Sequence, residues 1–213
     1  MISISATCQY LLYTFSDAML YPDMIGLILL FGWSMALAGS MIREFTTRHR
    51  NLKEMETICF QAAELARLGQ TEQAAAKLSS YRPQTLVSKV LKELAEAIQV
   101  GTLQMKFEKI LQDAELSMDK ALEPIRMGVR VGPMLGLMGT LIPLGPALLG
   151  LAEGNIKQLA DSLVIAFTTT VVGIVVGGIC YGAATIRTRW YRQDLSDLEY
   201  AVDILRSEGN EKT

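Results

Sequence analysis

Three stretches of this chain carry no charged residue for long enough to cross a bilayer, and that limits the fold more than any other feature. Met24–Ile42 gives 19 such residues, Val131–Ala152 gives 22 and Ser162–Ile186 gives 25. About 20 predominantly apolar residues in an α-helix cross the hydrocarbon core. Inside that core every backbone N–H and C=O needs an internal partner, which leaves helices or a closed barrel. The period-two alternation of barrel strands is absent. The prediction is an all-α integral membrane protein with three transmembrane helices and long cytoplasmic helical extensions. A mean hydropathy of +0.27 agrees with it.

Lys and Arg placement sets the direction of the spans. None precedes the first run, whereas Arg43, Arg48 and Arg50 follow it. Arg126 and Arg130 precede the second, and Arg187, Arg189 and Arg192 follow the third. Between spans two and three, Glu153–Asp161 holds only Lys157. All three flanks predict a multi-pass inner (cytoplasmic) membrane protein with its N-terminus outside and its C-terminus in the cytoplasm. Residues 1–23 lack Lys and Arg, and so lack the basic start of a cleavable signal. This N-terminal periplasmic segment is either an interfacial amphipathic helix or an extension of the first span. The predicted organisation is then 1–23 outside, 24–42 the first span, 43–130 a cytoplasmic helical domain, 131–152 the second span, 153–161 an outer hairpin, 162–186 the third span and 187–213 a cytoplasmic helix and tail.

Residues 43–130 read as amphipathic helices. Leu52, Met55, Ile58, Ala62 and Leu65 recur at intervals of three and four. Gly69, Gly101 and Pro83 punctuate the pattern. Leu103–Met127 predicts one long helix with the stripe Leu103, Phe107, Ile110, Leu111, Ala114, Met118, Leu122 and Ile125, kinked at Pro124 and Gly128. After Arg187, Leu195, Leu198, Val202 and Leu205 share a side, and Ser207–Thr213 reads as a frayed end.

The three charge-free runs hold no Asp, Glu, Lys, Arg or His, so a conducting function needs a partner to bring the ion-binding carboxylate. They do carry small residues, prolines and hydroxyls. At about 100° per residue, Pro133, Gly136, Thr140, Pro143 and Ala147 share one face of the second span. Ala166, Thr170, Gly173 and Gly177 share one face of the third, with Thr168 opposite and Thr169 to the side. The plain structural explanation is helix packing at Gly139, Gly177 and Gly178, with threonine hydroxyls bonded back to their own helix. Three prolines in the second span, Pro133, Pro143 and Pro146, suggest a span shaped around a cavity.

Gly136-Leu137-Met138-Gly139-Thr140, preceded by Pro133 and followed by Leu141, resembles the GLLGTV core in the second span of TolQ and ExbB. Thr170-Val171-Val172-Gly173-Ile174 resembles the T-x-x-G-L of their third span, with Thr169 as a second threonine. The chain therefore resembles the MotA/TolQ/ExbB proton channel family. That resemblance implies a homopentameric ring whose second and third spans line a pore. It implies two copies of a TolR/ExbD/MotB-like single-span partner in the pore, whose intramembrane Asp carries H+ or Na+. Thr140, Thr170, Thr169, Gly136, Pro133, Pro143 and Gly173 would line this ion pathway, and the chain would be a stator-type subunit of an ion-driven motor. ExbB often has a Glu where Ile165 stands here, Pro143-Leu144-Gly145-Pro146 departs from TolQ and ExbB, and the four-span layout of MotA is not seen.

Other classes fit less well. A net charge of −2 gives no basic field for nucleic acid. Cys8, Cys59, Cys180 and His49 have no metal-ligand spacing, and His49 lies in a basic stretch, so no metal or cofactor is expected. The spans lack the residue pairs of an intramembrane hydrolase, so no enzyme is expected. The alternative function is a passive multi-span scaffold with a cytoplasmic helical binding domain.

Overall fold

The structure is a computed structural model, described for residues 4–48, 52–81, 86–100 and 103–210. These residues form helices and no strand. In chain order they are α1 (Ile4–Ala18), α2 (Leu20–Thr47), α3 (Leu52–Arg67), α4 (Thr71–Ser79), α5 (Leu86–Gln99), α6 (Leu103–Ala152) and α7 (Ile156–Asn210). They fall into two units. One comprises residues 1–46 and 123–185, the other 47–122 and 186–213. α6 and α7 each contribute to both. Pro83, Gly101, His49 and Arg50 lie outside the described residues.

Three helical stretches are long and apolar enough to cross a membrane: Tyr10–Thr47, Lys106–Ala152 and Ile156–Arg206. Each contains one of the charge-free runs. α1 leads into α2 with only Met19 between them, and the Met19 N–H bonds to Phe15 and Ser16. A Cβ at Gly145 would sit 3.7 Å from the Tyr13 ring, so α1 runs beside the end of α6.

The first unit closes on the small residues of α6 and α7. A Cβ at Gly173 would lie 2.7 Å from the Gly132 carbonyl and 2.8 Å from the Gly136 Cα. One at Gly136 would lie 3.2 Å from the Gly173 Cα. Backbone meets backbone here, which only glycine permits. Nearer the other end, Leu37, Ile125, Val176, Cys180 and Ala183 form a buried cluster joining α2 to this pair. Gly154, at φ 78°, turns the chain between α6 and α7. Its neighbour's N–H, on Asn155, bonds to Gly150 O at 2.7 Å, and the Gly154 N–H bonds to Leu151 O, which satisfies the last carbonyls of α6. The Asn155 side chain then accepts the Gln158 N–H and caps α7.

The second unit is built from amphipathic helices. Met55, Ile58, Cys59 and Ala62 of α3 pack with Ala74 and Leu78 of α4 and with Val90, Leu91 and Leu94 of α5. Phe107, Ile110, Ala114 and Met118 of α6 and Leu198, Val202 and Leu205 of α7 complete the cluster. Most of the predicted stripe residues are thus the buried ones, with Leu52, Leu65, Leu111 and Leu195 at the margin. The Leu103 side chain and those of 207–210 lie outside the description. α6 continues as one helix through Pro124 and Gly128. Gly69, at φ 80°, ends α3, with Gln70 N–H bonded to Leu65 O. Arg48 stacks on the Trp190 ring, 5.0 Å from its centroid, and pairs with the Asp194 carboxylate.

Candidate functional site

The sequence singles out α6 around Thr140 and α7 around Thr170, and the antiparallel register brings them level. Gly139 faces Thr169, whose Cβ and Oγ1 would lie 2.6 Å from a Cβ on the glycine. Gly136 faces Thr169 O and Gly173, Gly132 faces Val176 and Gly177, and Gly128 faces Cys180. Pro133 packs its ring on Gly177, where an added Cβ would approach Pro133 Cγ to 2.8 Å. Pro143 is buried. Gly136, Gly139, Pro133, Gly173, Gly177 and Thr169 thus all lie in the seam between α6 and α7 of one chain. Gly178 is exposed with open space before it.

The threonines differ in position and share one hydrogen-bond habit. Thr169 is buried at 5% exposure, and its hydroxyl donates to Ile165 O and Ala166 O. Thr170 and Thr140 are partly exposed. The Thr170 hydroxyl donates to Ala166 O at 3.1 Å, and that of Thr140 to Leu137 O at 2.6 Å. Thr168 is exposed and donates to Val164 O. Each hydroxyl proton is therefore engaged along its own helix, while the oxygen lone pairs stay open as acceptors. The prolines add further acceptors: Pro143 and Pro146 have no N–H, so the carbonyls of Gly139 and Ile142 lose their helical donors. Such a wall can accept a hydrogen bond from a protonated acid or supply oxygens to a cation. It offers no fixed charge that would trap either.

One buried polar group was not among the sequence candidates. Asp23, in the first turn of α2, is 3% exposed, and neither carboxylate oxygen has a hydrogen-bond partner among the described residues. It shares the buried face of α2 with Leu27, Ser34 and Leu37. Asp23 borders the first charge-free run, so hydropathy alone left it outside the span. The long apolar helical stretch Tyr10–Thr47 includes it. No cluster of three or more His, Cys, Asp or Glu that could hold a metal occurs among the described residues.

Long apolar helices packed along a glycine seam define a polytopic helical membrane protein. The model of the MotA/TolQ/ExbB proton channel family matches residues 80–199, more than half of the chain, and the protein belongs to that family. No individual curated protein matches it.

Proposed function

We propose that this chain is the ring subunit of an ion-motive-force-driven membrane motor, a homopentamer enclosing a single-span TolR/ExbD/MotB-like partner whose intramembrane Asp carries a proton. The observation that carries the proposal is the pair Thr140 and Thr170, partly exposed on helices free of charge at that level, with their hydroxyl protons already engaged. A protonated partner carboxyl would donate to these oxygens, and on losing its proton it would find no fixed cation to hold it. Thr169, Gly136 and Gly173 form the seam behind this lining, and Pro133 and Pro143 shape α6 around it. Movement of one charge through 100 mV makes about 2.3 kcal/mol available for mechanical work. The N-terminus lies outside and the C-terminus in the cytoplasm.

The test starts from the tagged chain purified from its own membranes, which should bring down a single-span protein with an Asp in its span. The complex is reconstituted in liposomes, and proton uptake under an imposed potential is measured. Thr170→Val and Thr140→Val should each reduce uptake at least tenfold while the complex keeps its native mass. Unchanged uptake in both variants would refute the assigned roles. No partner and no uptake in the unaltered protein would favour the passive scaffold.

A further inference from the structure

The proposed function draws the ion-binding carboxylate from a partner, yet the chain buries one of its own. The contacts of α2 with α6 fix its depth. Gly26 lies against Leu135, and the Trp33 ring lies against Gly128. Seven residues along one helix answer seven along the other, so Asp23 stands opposite Met138. The contact of Gly139 with Thr169 then puts Asp23 at the depth of Thr169 and Thr170. From Met138 to the end of α6 at Ala152 is about 21 Å at 1.5 Å per residue. That depth is well inside a hydrocarbon core of about 30 Å.

We propose that Asp23 is a proton-binding site within the bilayer, supplied by this chain. An ionised, unpaired carboxylate at such depth costs several kcal/mol, and intramembrane acids persist where they bind something. With neither oxygen bonded among the described residues, this one is satisfied by a proton or by a cation. The surroundings select the proton. A hard metal cation takes six or more oxygen ligands, whereas Leu27 on the same face and Leu135 nearby are apolar. No charged residue faces Asp23 from α6 within Val131–Ala152 or from α7 within Ser162–Ile186. Asp17 on α1, and Glu153, Lys157 and Asp161 near the hairpin, are exposed. Cys180 and Tyr181 lie farther along α7, near the level of Gly128. The site rests on the membrane-spanning fold alone and stands whether or not the motor proposal does.

The test is infrared difference spectroscopy on the full chain in lipid nanodiscs, without a partner, on stepping the pH upward. A protonated-carboxyl C=O band, downshifted in D2O, should bleach in the unaltered protein and in Asp17→Asn. It should be lost in Asp23→Asn and present at a shifted position in Asp23→Glu, which keeps the site measurable should the amide fold poorly. The same band in Asp23→Asn, or no such band at any pH, would overturn the proposal. Loss of the band on adding sodium at constant pH would overturn it in favour of a cation site.

Discussion

Cys8, Cys59 and Cys180 show how far environment decides what a side chain can do. Cys8 is exposed, while Cys180 is sealed against Gly128 and Cys59 sits at 0% exposure in the core of the second unit. Burial pushes the Cys59 thiol up to about 12, because an apolar core disfavours the thiolate. The sign of the linkage follows. Below about pH 9 both folded and unfolded chains hold the proton, and the contribution to stability is complete. Between about 9 and about 12 the unfolded chain loses it and the folded one cannot, so stability falls as pH rises. Chemical denaturation at pH 8 and at pH 10.5 should show this drop, and Cys59→Ala should lessen it. A thiol reagent should reach Cys59 only after unfolding and Cys8 at once; rapid labelling of Cys59 in the native protein would contradict its burial. Arg48 carries a different kind of restraint. It pairs with Asp194 and stacks on Trp190 with its side chain 14% exposed. Breaking a buried pair from one side costs about 3 kcal/mol, so Arg48→Ala should lower the thermal midpoint of the second unit by several degrees, read by circular dichroism.

At the scale of the helix, the seam between α6 and α7 turns glycine content into geometry. A Cβ at Gly173 meets the backbone of Gly132 and Gly136, and neither can swing aside as a side chain would. Overpacking of this kind costs about 1–3 kcal/mol. Gly178, five residues on, meets nothing within 4 Å. Gly173→Ala should therefore lower the melting temperature of the detergent-solubilised chain, whereas Gly178→Ala should leave it unchanged. Equal melting of the two variants would mean that the seam is not packed this closely. Helix content and the apolar stripes of α3, α6 and α7 were legible in the sequence because they rest on local periodicity, which needs no partner to express itself. The shared depth of Gly139 and Thr169 was not, since register between helices depends on which small residues meet. The helical wheel put Thr169 to the side of Thr170 but could not say that this side faces Gly139. Asp23 escaped for a related reason: hydropathy places a charge at the border of an apolar run, and its burial depends on how α2 packs against its neighbours.

For the whole molecule, the decisive quantity is the apolar surface that one chain leaves uncovered. Met134, Leu137, Leu141 and Leu148 on α6, and Val164, Phe167, Val171 and Ile174 on α7, are each more than half exposed. Lipid can cover some of this surface, since helices in a bilayer gain nothing from hiding Leu from Leu. Association in that setting comes from close packing and polar contacts. Gly178, open and exposed beside these residues, and the half-covered hydroxyls of Thr140 and Thr170 supply such contacts only if other copies stand next to them. The proposed pentamer predicts five copies in native mass spectrometry of the unaltered chain in a mild detergent. A bulky side chain at the open position, Gly178→Leu, should break the assembly into smaller species without altering the melting of the single chain, because no described residue lies within 4 Å of a Cβ there. A monomer in the unaltered protein would leave Thr140 and Thr170 facing lipid and would overturn the proposed pore. A pentamer that tolerates Gly178→Leu would keep the ring but move its contacts to another face of α7.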